Sequence, residues 1–120
     1  MNEYDAEGNL IGACHEKKFM ELTDEAYEAV KKDHPELTIG YVFFGLKFIP
    51  PEENEKLLTP VFEIPWDKTI GIDFVQQEDP NGSQKPYDEL ADKMLAKYPE
   101  RKFKKVYHCG ETKDHLNNNI

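Results

Sequence analysis

The sequence predicts an α/β fold built on a parallel sheet. Two observations carry that expectation. Segments of helical period alternate with short apolar runs, in the order helix–strand–helix–strand–helix–strand, which is the arithmetic of βαβ units. The apolar runs are nearly continuous rather than alternating, as in strands covered on both faces. At 120 residues the chain has room for one domain.

The elements follow in order. Tyr4-Asp5-Ala6-Glu7-Gly8-Asn9 is turn chemistry, with Gly8-Asn9 free to take positive φ, and Leu10-Ile11-Gly12-Ala13-Cys14 is a short candidate strand. From Glu16 to Asp33 the pattern is helical. Phe19, Leu22, Ala26, Tyr27 and Val30 make one apolar stripe on a charged cylinder, and His34-Pro35 stops it. Thr38 to Ile49 is β-branched, aromatic and almost continuously apolar, so it reads as a strand buried on both faces. Pro50-Pro51 opens a helix from Glu52 to about Phe62, with acids in its first turn, that Pro60 and Pro65 are expected to shorten or break. Lys68 to Val75 is a second apolar strand, followed by the polar cluster Gln76-Gln77-Glu78-Asp79 and the loop Pro80-Asn81-Gly82-Ser83. A helix then carries Tyr87, Leu90, Ala91, Met94, Leu95 and Tyr98 on one face and ends at Pro99. Lys104-Lys105-Val106-Tyr107-His108 is a third short strand.

Charge and composition narrow the partners. Fifteen basic against twenty-four acidic residues give a net charge of −9, which repels a phosphate backbone, so no nucleic-acid polymer is expected. No apolar stretch approaches the ~20 residues that span a bilayer, so no membrane partner is expected. Met1-Asn2-Glu3-Tyr4-Asp5-Ala6-Glu7 is acidic and polar, unlike a signal peptide. Two cysteines make no disulfide framework.

In parallel sheets chemistry collects beyond the carboxyl ends of the strands. Three places qualify: Gly45-Leu46-Lys47, Gln76-Gln77-Glu78-Asp79 and His108-Cys109-Gly110-Glu111. The sharpest constellation is His108 with Glu111 three residues on. A neutral imidazole nitrogen there can bind a metal, a carboxylate across a glycine turn can move protons, and Gly110 lets the backbone approach a ligand. Gln77-Glu78-Asp79 has a plainer reading as a solvated cluster, and His115 as an exposed side chain. Asp73, a carboxylate inside an apolar strand, needs a partner if buried. Cys14-His15 and His108-Cys109 do not make a structural zinc site between them. Neighbours on a strand point to opposite faces, so each pair offers one ligand at most.

Three segments carry a family resemblance. Gly40-Tyr41-Val42-Phe43-Phe44-Gly45-Leu46-Lys47-Phe48 resembles the third barrel strand of the adenosine deaminase family, in its adenosine deaminase-related growth factor branch. Ile70-Gly71-Ile72-Asp73-Phe74-Val75-Gln76-Gln77-Glu78-Asp79-Pro80 is similar to the family's fourth-strand segment GFDLVGxED, and Tyr107-His108-Cys109-Gly110-Glu111-Thr112 to its fifth-strand segment FHAGET. The motifs keep the family's order and spacing, and the resemblance covers roughly residues 15 to 120.

The resemblance implies a partial (β/α)8 TIM barrel of about three parallel strands with their helices. Residues 1–120 would form one partial barrel domain, 1–15 a leading turn and strand and 16–120 the αβ units. A complete barrel needs about 250 residues. It implies zinc as the cofactor with His108 as a ligand, Glu111 as proton donor to the purine ring nitrogen, and Gln76 and Gly110 at the substrate. The parent reaction would be hydrolytic deamination of adenosine to inosine and ammonia, through a zinc-bound hydroxide attacking C6. Gln76 stands where the family has a glycine, Cys109 replaces an alanine, and Leu46 occupies a position where the growth-factor branch often carries histidine. Nothing here matches the family's first-strand H-x-H, its later catalytic histidine or its aspartate pair. With one ligand of the roughly three that catalytic zinc takes, the chain alone is expected not to deaminate. The alternative reading is a non-catalytic structural or interaction module derived from such a barrel. Either way, uncovered faces and unpaired edges imply a complementing chain or self-association. The branch is typically secreted, and the compartment of this chain stays open.

Overall fold

The structure, a computed structural model, describes residues 2–4, 6–7, 10–13, 16–76 and 83–108. It is α/β, and the chain divides into two compact units, Met1–Ile39 and Gly40–Ile120.

In the first unit β1 (Asn2–Tyr4) pairs antiparallel with β2 (Leu10–Ala13), with a register shift between Glu3 and Tyr4. The turn chemistry read from Tyr4 to Asn9 thus joins two strands. Helix α1 (Glu16–Lys31) follows. It closes as the amides of Asp33 and His34 both donate to the Val30 carbonyl, at 3.1 and 3.0 Å. Tyr27 donates its hydroxyl to the Leu37 carbonyl at 2.7 Å, tying the proline-interrupted exit back to the helix. The covered side of α1 is not centred on the apolar stripe. Met20 is its buried residue, with Phe19, Thr23 and Tyr27 half-buried beside it, while Leu22, Ala26 and Val30 are exposed. The covered stripe follows the 19, 20, 23, 27 spacing, which takes in Thr23 along with the apolar residues and leaves three of the five expected positions in solvent.

The second unit holds a three-stranded parallel sheet, β3 (Tyr41–Leu46), β4 (Thr69–Val75) and β5 (Lys104–Lys105), neighbours in sequential order. Helix α2 (Pro51–Glu63) connects β3 to β4, and α3 (Lys85–Lys97) connects β4 to β5. Phe44 lies opposite Asp73 in the first pair, and Ile72 opposite Lys105 in the second. Both helices pack on one face. Leu58 and Phe62 of α2, Ile72 and Phe74 of β4, and Tyr87, Leu90, Ala91 and Met94 of α3 form a single core. Phe74 meets Tyr87 at 5.3 Å and Phe62 meets Phe103 edge-on at 5.0 Å between ring centroids. Sequential order with both crossovers on one face is the singly wound arrangement that right-handed connections generate, distinct from a doubly wound sheet.

Each element departs a little from its sequence expectation, for a local reason. β3 is shorter than Thr38–Ile49 because the Ile49 amide turns back onto the Leu46 carbonyl at 3.2 Å, and the Asn54 side chain occupies both polar groups of Leu46. It is also not buried on both faces: Phe44 is 56% exposed, since only the Phe43 side of the strand meets the helices. α2 runs unbroken through Pro60, because buried Leu58, Val61 and Phe62 flank the proline and tertiary packing holds the helix across it. β5 pairs over Lys104–Lys105 alone, one further ladder bond passing from the Val106 amide to the Ile72 carbonyl at 2.9 Å. Beyond it Tyr107 reaches α3, its hydroxyl 3.0 Å from Asp88 Oδ1.

The face of the sheet away from α2 and α3 carries the alternate residues. Gly71 lies on it: a Cβ there would stand 3.5 Å from Val42 Cγ2, 3.4 Å from Val106 Cγ2 and 2.8 Å from the Lys104 carbonyl oxygen. Only a glycine lets β5 come this close to β4. Phe44 and Val106, 56% and 46% exposed, are apolar groups on or beside this face.

Candidate functional site

The polar groups of the second unit converge at the carboxyl end of the sheet. Lys47 follows β3, Val75-Gln76 close β4, and His108 lies three residues past β5. β4 delivers Asp73, which is 5% exposed. Its Oδ1 accepts from the Phe74 amide at 2.7 Å and from the His108 amide at 3.3 Å. Its Oδ2 is 2.6 Å from His108 Nδ1. An ionised carboxylate only accepts, so Nδ1 is the nitrogen that donates to it, and in the neutral ring Nε2 is then the one with a lone pair. The imidazole is 61% exposed, so Nε2 belongs to a ring open to solvent. The partner that a buried Asp73 requires is therefore His108.

Lys47 is buried, 2% exposed, and binds on three sides. Its amide donates to the Val75 carbonyl at 2.9 Å, its carbonyl accepts the Tyr87 hydroxyl at 2.6 Å, and its Nζ donates to the His108 carbonyl at 2.8 Å. Burial pushes the Tyr87 phenol up from its ordinary value. Under the β3 exit sits Asn54, fully buried. Its Oδ1 accepts from the Leu46 amide at 2.7 Å, and its Nδ2 is within reach of the carbonyls of Leu46, Ile49 and Pro50 at 2.9, 3.2 and 3.4 Å. Gly45 makes room for it, since a Cβ there would stand 2.6 Å from Asn54 Oδ1.

Gln76, expected at the substrate, is exposed and has φ of 103°. That is a left-handed backbone which side chains rarely adopt and which glycine takes freely. Glu111 and Gly110, the other expected site residues, lie outside the described residues, as do Cys109, His115, Cys14, His15 and Gln77-Glu78-Asp79. Of the site read from the sequence, the structure joins His108 to Asp73 and sets Gln76 three residues beyond Asp73 on the same strand exit. Lys47 falls in the Gly45-Leu46-Lys47 strand end named in the sequence, without a role of its own, and Asn54 was not singled out. The signals for them are slight: one cation ending an apolar run, and one amide within a helix's first turn.

Asp73 has both oxygens engaged, and His108 has one further nitrogen that could face a metal such as zinc. A catalytic zinc takes about three protein ligands, and among the described residues no group of three or more His, Cys, Asp or Glu side chains is arranged to hold a metal ion. Among them, too, no helix is long and apolar enough to cross a membrane. Comparisons with protein-family models, curated proteins and solved structures found no match.

Proposed function

We propose that the second unit is a β3–β5 segment of an adenosine deaminase-type (β/α)8 barrel, contributing His108 to a purine-nucleoside deamination site completed by residues outside those described. The observation that carries this reading is the buried Asp73 carboxylate gripping His108 Nδ1 at the carboxyl end of a parallel sheet. This is how metal-ligating histidines are held: a carboxylate fixes the tautomer and leaves the other nitrogen as donor. Three further features support it. The strands run in sequential order with both helices on one face, as around a barrel. Exposed Phe44 is an apolar group that a closed barrel interior would cover. Gln76 has a glycine-like backbone at the position where the resembled family has glycine.

In this reading zinc is the cofactor and His108 is the ligand this chain supplies. Asp73 orients the ring, Glu111 donates a proton to the purine ring nitrogen, and Gln76 and Gly110 border the base. Adenosine is the substrate, and water and adenosine give inosine and ammonia. The described residues present one ligand in this reading, so turnover by the chain alone is not expected. The second reading, a non-catalytic module of barrel origin, is favoured by the single ligand among the described residues.

The test is the loss of adenosine absorbance on conversion to inosine, with added zinc. The 120-residue chain is assayed alone, then mixed with a separately expressed adenosine deaminase segment bearing the H-x-H histidines and the aspartate pair. Turnover only in the mixture supports the deaminase reading. No turnover in a mixture that demonstrably assembles supports the module.

A further inference from the structure

We infer that Lys47 is a positioning residue for His108, holding its main chain where Asp73 can reach the ring. His108 lies beyond the sheet: β5 pairs over Lys104–Lys105, and the last ladder bond is that of the Val106 amide. Nothing in the ladder fixes a residue two positions further on. Three side-chain bonds do so instead. Asp73 takes the His108 amide at 3.3 Å and the ring Nδ1 at 2.6 Å, and Lys47 Nζ takes the His108 carbonyl at 2.8 Å.

The two bonds from Asp73 act on the amide and the ring of His108, and the lysine adds a third point on its carbonyl. Lys47 can do this because it is itself anchored. Its amide sits on the Val75 carbonyl and its own carbonyl on the buried Tyr87 hydroxyl, so β3, β4 and α3 all fix the base of its side chain. A lysine only 2% exposed carries a heavy desolvation penalty, and an apolar side chain would pack the stem as well. What the ammonium adds is a charge-assisted bond to a carbonyl that the ladder leaves behind.

The inference rests on the reading above only in taking His108 as the working group. Its test uses neither metal nor nucleoside, so the two fail separately. In the full chain with labelled histidine, the His108 Nδ1–H proton is expected as a downfield, slowly exchanging NMR signal. Lys47→Met should speed its exchange at least tenfold while amide signals of the α2–α3 core stay in place. Lys47→Arg, which restores a charged donor, should bring it within about twofold of the native rate. An unchanged His108 signal in a folded K47M protein would overturn the inference. If K47M does not fold, Lys47→Gln is read the same way. If neither folds, Lys47 serves the fold as a whole and the positioning role is rejected.

Discussion

Asp73 holds His108 at two points, the ring nitrogen on Oδ2 at 2.6 Å and the amide on Oδ1 at 3.3 Å, while the same Oδ1 takes the amide of Phe74. One buried carboxylate thereby sets the tautomer, orientation and main-chain position of an exposed imidazole. In Asp73→Asn the oxygen stays with the Phe74 and His108 amides and an NH2 group, which cannot accept, faces Nδ1. The hydrogen bond to the ring then reverses, with the NH2 donating to Nδ1, and the Nε2–H tautomer becomes the major form in nitrogen-15 spectra. Asp73→Ala also leaves the buried Phe74 amide without its partner and should cost about 1–3 kcal/mol in urea unfolding. A native tautomer ratio in D73N would remove the basis for regarding the pair as a prepared ligand.

The alternation of periods made the βαβ order readable, because a helix and a strand each impose their own repeat on apolar residues. The unbroken apolar run of β4 is covered on both faces, at Gly71 and Asp73 as at Ile72 and Phe74, whereas in β3 Phe44 is exposed. A sequence reports what a strand can bury, and burial depends on what else packs there. At the site, His108 stood out by residue type and Asp73 as a charge in an apolar strand. Their contact spans 35 positions and no local pattern encodes it. The strand end holding Lys47 is legible, but its burial and its bond to His108 are not, because a lysine ending a strand ordinarily points to water.

Asn54 is expected to be the most sensitive polar position of the second unit. Fully buried, it satisfies both the amide and the carbonyl of Leu46 and reaches the carbonyls of the turn into α2. Asn54→Ala strands the Leu46 amide and carbonyl and leaves a small void, together worth roughly 2–4 kcal/mol. Amide exchange at Leu46 and Lys47 should accelerate with it. A loss below about 1 kcal/mol would mean that water replaces the side chain.

Stability should fall at both ends of the pH range, for reasons located at one cluster. Asp88 is held below its ordinary value near 3.8, first by the Lys105 hydrogen bond at 2.7 Å and also by that of Tyr107. A depressed carboxylate contributes stability above its unfolded value that is lost as pH falls through the lower folded one. At the other end, burial and then the Asp88 bond raise Tyr107 above 10.0, and burial raises Tyr87. Their contributions are intact below pH 10 and decline as pH rises beyond it, when the unfolded phenols ionise first. Because the Asp88 side chain is 42% exposed, Asp88→Asn should cost about 1 kcal/mol or less at neutral pH. It should also flatten the acid limb of the urea midpoint plotted against pH and, by removing the Asp88 contribution to Tyr107, soften the alkaline limb in part. Tyr107→Phe should soften the alkaline limb more strongly and flatten the acid one only slightly, since Lys105 still holds Asp88.

Gln76 holds a φ of 103° at the exit of β4, between buried Asp73 and the loop. A non-glycine residue in so sparsely populated a region carries about 1–3 kcal/mol of strain. Gln76→Gly relieves it, while glycine's greater freedom in the unfolded chain takes back about 0.4–1 kcal/mol. The net expectation is a protein more stable by roughly 0.5–1 kcal/mol. Gln76→Ala keeps a Cβ, hence the strain, and should leave stability near the native value. Gln76→Val, with branching at Cβ, should lower it by about 1 kcal/mol or more. The series is read by urea unfolding at neutral pH. The ranking Gly above Gln and Ala above Val is what the backbone alone dictates at this exposed position. A destabilised Q76G would show that the amide side chain, and not the backbone, is what this position retains, and would turn attention to what that side chain binds.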